Sequence, residues 1–568
     1  MAGLRKRFRW VALALVALAV GVATLFPAQA AAALKLPLLA VYSVSRMVAA
    51  YLLALVFAVA YGTTAATNKR AAVVMLPLLD VLQSIPILGF FPAALVFFVS
   101  TFQGSPVGLE VAVIFLIFTS MAWNMAFGVY ESLSTIPHDL EDAAASFGVR
   151  DWLRFRRLMF PASVPKLVYN SILSWTNGWF FLVASEVFTA YGATYARPGL
   201  GAFIADAGQA GDYASILIGI GALAAVVLAL DTFVWRPLSV WAERFKVEAV
   251  PGREVPHAPG LYQRLQWLPR FPRMRAWLGA RTRPILDKYD RASARLDRVY
   301  KGHATAMRAV RRLDLVLFLA VFVLVVGAGL LGLAGLFLRP LPPGAADIPA
   351  ATALSFARLG LAYVLALAWT IPVAAWIGRS ERASRFLTPA LEVFASIPAT
   401  ALLPLILGFS IAVASGVGHE AGLAALLIAL FSMQWYLLFN LVAGVRGIPG
   451  DLEEAARSFG LRGLTYWRRV LLPAMVPSLL TGSITAWGAG WNALIVSEYL
   501  PFHGRLYEVE GIGALMDRAT FGVPPAMQPN AELLFLSIVA MIVVVLLMNK
   551  LLWHPLFRRA SMRFRMEA

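Results

Sequence analysis

The 568-residue chain is 60% hydrophobic and only 14% charged, with a mean hydropathy of +0.73; this excludes a soluble two-domain enzyme and reads as an all-α polytopic membrane protein. Its 49 Lys and Arg against 31 Asp and Glu give a net charge of +18, an excess that in so apolar a chain marks cytoplasmic loops rather than a nucleic-acid partner. The absence of cysteine excludes disulfides and thiolate metal sites.

In chain order, the first apolar window falls near 10–26, within a stretch that has a basic start and an Ala-Gln-Ala resembling a signal-peptide end. The second half has a matching apolar stretch after Arg311-Arg312, far from any N-terminus, so both are read as retained membrane helices. Further windows lie near 42–62, 71–100, 108–133, 167–190 and 214–235, then 314–337, 353–377, 419–443, 478–500 and 531–552. The long window at 71–100 is punctuated by Pro77, Pro86 and Pro92; its counterpart carries Pro389, Pro398 and Pro404, and both are expected to be kinked or interrupted. Twelve spans follow, six per half, which makes the halves parallel repeats.

Placing Arg5, Lys6, Arg7 and Arg9 in the cytoplasm puts Lys69, Arg70, Arg379, Arg382, Arg385 and the Arg-rich C-terminus there too. The opposite loops carry little beyond Lys35, Arg46, Arg197 and Arg339. Both termini are therefore expected inside. Residues 1–235 and 313–568 are the two halves, and 236–312 is a basic, Pro-punctuated cytoplasmic linker. The later part of this linker has a basic helical face that could lie on anionic membrane lipid, but a tether held inside by its charge is the favoured reading, since positive-inside bias alone accounts for it, ahead of a regulatory or partner-docking role.

The halves repeat at a constant offset. "IPHDLEDAAASFGVRDWLRFRRLMFPASVP" at 136–165 returns as "IPGDLEEAARSFGLRGLTYWRRVLLPAMVP" at 448–477, identical at 17 of 30 positions and displaced by 448 − 136 = 312. The same offset pairs Arg46 with Arg358, Tyr51 with Tyr363, Trp175 with Trp487, Glu186 with Glu498 and Gly199-Leu200-Gly201 with Gly511-Ile512-Gly513.

Each repeated stretch reads as two short helices around a glycine. Asp139 and Asp451 are expected to N-cap the first helix, with Asp142 and Glu454 completing an approximate capping box. Gly148 and Gly460 are expected in the left-handed C-terminal position. A second helix, containing Arg156 and Arg468, is expected to end at Pro161 and Pro473. Leu140, Ala143, Ala144 and Phe147, repeated as Leu452, Ala455, Ala456 and Phe459, form an apolar stripe. An interfacial loop stabilising its own half would need the apolar residues only. Duplication of the polar ones as well favours two copies of one partner.

These residues resemble the EAA loop of ATP-binding-cassette importer permeases, E-A-A-x-x-x-G followed by L-P. The second copy fits as Glu454-Ala455-Ala456, Gly460 and Leu472-Pro473; the first has Asp142 for Glu and Phe160 for Leu. The flanks, "SIP" followed by proline and "SEVF" followed by "GLGAFIADA", resemble the nitrate, sulfonate, taurine and bicarbonate permeases. The resemblance implies a type I importer in a bacterial-type inner membrane, with both permease halves fused. It implies two cytoplasmic ATPase subunits contacting Asp139, Glu141, Asp142, Ala143, Ala144, Gly148, Arg156 and Pro161 in one copy, and Asp451, Glu453, Glu454, Ala455, Ala456, Gly460, Arg468 and Pro473 in the other. It also implies an extracytoplasmic solute-binding protein and leans to a small anionic cargo. No GxxxxGK[ST] loop occurs, so ATP-Mg belongs on the separate ATPases and this chain is not itself an enzyme.

Ionisable groups in apolar surroundings invite a functional reading. Asp80 and Glu392, at the broken windows, are read as structural; Glu186 and Glu498 stand evenly between gate and fold, each able to satisfy backbone groups or pair with an arginine. Trp123, Asn124, Asn177, Trp179, Gln434, Trp435, Trp491 and Asn492 are candidates for lining a central path together with the two glutamates, although Trp also serves helix packing. No His, Asp and Glu grouping suggests a metal, and none a hydrolytic triad. The rival reading is a secondary transporter of major-facilitator type, which shares two six-helix halves but gives no reason for two EAA loops.

Overall fold

The computed structural model describes residues 29, 32–149, 151–191, 197–245, 327, 335, 340–414, 416, 418–522 and 529–563. The expected spans at 10–26 and, apart from residues 327 and 335, at 314–337, and the linker from 246 onward, lie outside the described residues. Among the described residues seven helices are long and apolar enough to cross a membrane, eight if one bent pair counts as a single span.

The first half contains α1 (Leu36–Thr67), α2 (Lys69–Ser84), α3 (Ile87–Thr101), α4 (Pro106–Ser134), α5 (His138–Ser146), α6 (Phe160–Tyr191), α7 (Leu200–Ala210) and α8 (Tyr213–Leu230). The second contains α9 (Ile348–Arg379), α10 (Glu381–Ala395), α11 (Leu403–Ala414), α12 (Glu420–Arg446), α13 (Gly450–Ser458), α14 (Leu472–Ser497), a hairpin of β1 (Tyr499–Phe502) and β2 (Arg505–Glu508), α15 (Ile512–Phe521) and α16 (Ala531–Met548). The helix begun at Tyr213 continues in modified form to Phe245, past the linker boundary read at 236.

Local chemistry sets the boundaries, and it repeats. Asn68 accepts from Arg70 N and Ala71 N to start α2; its counterpart Ser380 accepts from Ala383 N to start α10. Both long windows are broken, but only at their middle prolines. Pro86 separates α2 from α3, and Pro398 separates α10 from the short turn preceding α11, where the chain bends by 76°. Pro77 and Pro92 stay inside helices. A proline N-cap in an extended conformation ends one helix and pre-sets the next.

Among the described residues four π-helical turns, at 155–159, 231–235, 467–471 and 549–553, each stand just before a proline: Pro161, Pro237, Pro473 and Pro555. The proline ring would crowd the carbonyl four residues back, and a widened turn relieves it. The second helix of each repeated stretch therefore does not end at Pro161 or Pro473, as expected, but runs through into α6 and α14.

Each half has its own core. Met47, Met121, Met125, Trp179 and Leu182 centre the first; Leu359, Met433, Leu437, Trp491 and Leu494 centre the second. The halves meet reciprocally: α3 packs on α14, α15 and α16, while α11 packs on α7 and α8. The broken helices thus form the seam. The hairpin, whose register pairs Tyr499 with Glu508 and Phe502 with Arg505, follows the span read at 478–500, whose helix ends at Ser497, and is the exception to an all-α reading among the described residues.

Candidate coupling and translocation sites

At the repeated stretch, α5 and α13 start after Pro137 and Pro449, and neither has a side-chain cap. Asp139 and Asp451 are therefore not N-caps: Pro137 and Pro449 hold that place, so the helices begin two residues earlier than expected. These aspartates, with Glu141 and Glu453, instead occupy the first turn, where the helix dipole favours negative charge. The C-terminal reading holds. Gly148 and Gly460 have φ of 71° and 68°, and Val149 N and Leu461 N reach back to Ala144 O and Ala456 O at 2.8 and 2.9 Å.

Those glycine turns project Phe147 and Phe459, which are 86% and 81% exposed, with Leu140 and Leu452 also exposed on the same stripes. Ala143, Ala455, Asp142 and Glu454 lie open, Ala144 is half-buried and Ala456 is buried. Glu141 and Glu453 do not point away from the protein. Glu141 pairs with Arg154, whereas Glu453 accepts from Tyr466 Oη at 3.4 Å and pairs with Arg457 at 3.6 Å, and the guanidinium of Arg379, at the end of α9, lies 4.7 Å from the Tyr466 ring centre. The two projections share an apolar tip but differ in their bracing. Arg156 is half-buried and Arg468 exposed, each within the π turn that leads into the following helix.

Arg358 and Arg379 lie on the same helix, 21 residues apart (379 − 358 = 21), or about 30 Å, the thickness of a hydrocarbon core. At the Arg358 end sit the two buried glutamates, both with no exposed surface. Glu186 accepts from Arg46 Nη1 at 2.7 Å, Ser43 Oγ at 2.8 Å and Gly201 N at 2.7 Å; Ser43 Oγ in turn accepts from Leu200 N at 3.0 Å. Glu498 repeats this with Arg358, Ser355 Oγ at 2.6 Å and Gly513 N at 2.8 Å, and Ser355 Oγ takes Ile512 N at 2.9 Å. Each glutamate is thus the missing cap of α7 or α15. Gly199 and Gly511 are small for the same reason: a Cβ on either would stand 2.2 Å from a carboxylate atom.

Arg46, read from sequence as an outer-loop charge, lies within α1 and also holds Glu110 through a two-point ion pair. Gly422 occupies the corresponding place in the second half (110 + 312 = 422), so that part of the cluster is not repeated. Sequence reading paired the arginines and the glutamates separately and missed Ser43 and Ser355, although both stand at the same offset. Asp80 and Glu392 are exposed.

Of the proposed path residues, Asn177 and Asn492 reach the seam. Asn177 Oδ1 accepts from Tyr436 Oη at 2.6 Å, and Asn492 Oδ1 accepts from Leu88 N at 3.0 Å, capping α3 across the halves. At the reciprocal place Thr400 Oγ1 donates to Phe180 O at 3.1 Å. Trp179 and Trp491 are buried in their own halves' cores. Trp123 packs edge-on to Phe57, Trp435 packs against Trp369, Asn124 donates to Ser174 Oγ at 3.2 Å, and Gln434 is buried on α12.

A family profile described as "binding-protein-dependent transport system inner membrane component" matches residues 50–235 and again 370–552. The chain belongs to this family. It is a tandem-duplicated permease, with one family domain in each half. It is 31% identical over 148 residues to the nitrate import permease protein NrtB of Leptolyngbya laminosa, covering 26% of this chain and 50% of that protein. Over 149 residues it is 30% identical to the taurine transport system permease protein TauC of Escherichia coli, covering 26% and 51%. A probable ABC transporter permease of Brucella melitensis is 27% identical over 198 residues, covering 35% of this permease and 72% of that one. The permease spans about half the length of the nitrate and taurine proteins it matches. The major-facilitator alternative is not favoured by these matches.

Proposed function

We propose that the chain supplies both membrane halves of an ATP-binding-cassette importer in a bacterial-type inner membrane, with both termini cytoplasmic. Two cytoplasmic ATPase subunits dock on α5 and α13, and the ATP-Mg they hydrolyse drives both projections together. The halves rock about their seam, along which a small anion delivered by an extracytoplasmic binding protein passes. Membrane lipid surrounds the chain, and no nucleic acid takes part.

The observation that carries this reading is the pair of exposed Phe and Leu stripes on glycine-terminated helices, one per half and 312 residues apart. Large apolar side chains left open at matched places mark a protein interface. The similarity to nitrate and taurine permeases supports the anionic cargo. Reconstitution with an ATPase and a binding protein tests it: ATP should drive uptake of labelled nitrate, an alkyl sulfonate or bicarbonate. Uptake driven by a proton gradient without any ATPase would reject it.

A further inference from the structure

The β1–β2 hairpin is anchored in one half and touches the other. At its base Val509 N donates to Glu498 O at 3.0 Å, and Glu508 pairs with Arg518 on α15. Its tip is a two-residue turn in which His503 and Gly504 have φ of 53° and 71°, the positive pair that a tight hairpin of matching twist requires. That tip reaches the first half. Phe502 is 4% exposed, its ring centre 6.4 Å from that of Tyr213 at the start of α8. The His503 ring lies over Gly211, where a Cβ would meet ring atoms at 2.2 and 2.4 Å. Gly211 itself has φ of 69°, so the turn joining α7 to α8 is both left-handed and bare where the ring rests.

We propose that this hairpin is a one-sided latch on the membrane face opposite the coupling helices, holding the halves together there until the path opens on that face. The base is tied to Glu498 and Arg518, whereas the tip has only side-chain packing across the seam. Separation of the halves therefore breaks the tip contacts and carries the hairpin away with the second half. Among the described residues the latch belongs to the second half alone, because in the first half the stretch that corresponds to β1, from 187 onward (499 − 312 = 187), continues α6 as helix to Tyr191. Opening on this face is thereby controlled by one apolar side chain and one ring on a short lever. The proposal rests on the alternating-access reading above for its consequence, but its geometry can be tested without transport.

The natural lack of cysteine makes the test clean. His503→Cys combined with Gly211→Cys removes the ring and places two thiols where the ring met the bare turn. Oxidation should form a disulfide and stop uptake at least about tenfold, with full recovery on reduction, since a covalent bond replaces a contact that must open. A cross-linked protein that transports as fast as its reduced form overturns the latch.

The second measurement needs no transport. In purified chain, Phe502→Cys should react with a bulky thiol reagent about tenfold more slowly than Gly504→Cys, and adding His503→Gly, which keeps the turn conformation but removes the ring, should narrow that difference. Equal rates for the first two overturn the proposal. If the parent protein shows no ATP-driven uptake, the transport reading fails and the labelling rates still decide the latch.

Discussion

Tyr436 Oη donates to Asn177 Oδ1 at 2.6 Å, joining the middle of α12 to the middle of α6 across the seam. With the Leu88–Asn492 and Thr400–Phe180 hydrogen bonds it forms a cross-half set near the helix breaks. A net hydrogen bond of about 1 kcal/mol shifts a two-state seam roughly fivefold. Tyr436→Phe should therefore lower the yield of a Thr400→Cys, Phe180→Cys cross-link by about that factor while leaving folding intact. An unchanged yield would show that the seam is held elsewhere.

The coupling projections should respond unequally to loss of their inward-pointing glutamates. Glu141 is braced by an ion pair with Arg154, and Glu453 by a tyrosine hydroxyl, a longer ion pair with Arg457 one turn along α13, and a nearby cation on another helix. The first brace is partly exposed and salt-sensitive, worth at most about 1 kcal/mol. Glu141→Ala should weaken ATPase binding up to about fivefold at low salt, and the loss should shrink as salt rises. Glu453→Gln, which keeps a hydrogen-bonding oxygen for Tyr466 and gives up only the longer, more exposed Arg457 pair, should have the smaller effect. Titration of labelled ATPase against each variant reads both.

The duplicated architecture was legible because apolar periodicity and exact spacing survive in the sequence, and the prolines at 86 and 398 mark real breaks. Gly148 and Gly460 were legible because a left-handed helix end has few alternatives to glycine. Asp139 and Asp451 misled because an aspartate suits the first turn almost as well as the cap, and Pro137 and Pro449 had already started the helix. Arg46 looked like a loop charge because a single sequence cannot show that its neutralising carboxylate lies 140 residues away. The hairpin was illegible for a related reason: its strands are short, and the apolar residues that hold it pack across the seam.

Removing one member of a buried ion pair leaves the other uncompensated. Glu498→Ala, which leaves Arg358 without its carboxylate, should cost roughly 3–5 kcal/mol and appear as a large drop in thermal stability of the purified protein, whereas Glu186→Ala should cost less because Arg46 keeps its pair with Glu110. Replacing both Arg358 and Glu498 by apolar residues should cost less than the single change would suggest. If Glu498→Ala instead melted like the parent protein and altered only solute selectivity, the glutamate would be a gate rather than a cap.

Gly148 and Gly460 tie backbone geometry to coupling. A β-branched residue in the left-handed region costs roughly 1–2 kcal/mol, and relaxing it would swing Phe147 or Phe459 off its stripe. Gly148→Val and Gly460→Val should leave the spanning helices folded yet reduce solute moved per ATP hydrolysed several-fold, each alone and more so together. Measuring uptake and phosphate release in the same proteoliposomes separates uncoupling from loss of protein.

Asp517, on α15 and outside the spanning helices, is 6% exposed and has no ion-pair partner among the described residues. Burial, then the charges of Glu508 and Glu498, push its carboxyl well above the usual range. The unfolded chain would ionise this group near pH ~3.9, while the folded protein keeps it protonated to higher pH. Below that value the group is neutral in both states and contributes no pH dependence. Above it the unfolded state is favoured increasingly, so this group lowers stability as pH rises until its folded pKa is passed. Asp517→Asn removes the ionisation without changing the shape, and should flatten that part of the pH dependence. Its melting temperature should exceed the parent's by more at pH 8 than at pH 5. A gap that stays constant between those two values would mean that the folded-state titration of Asp517 is not raised into that window.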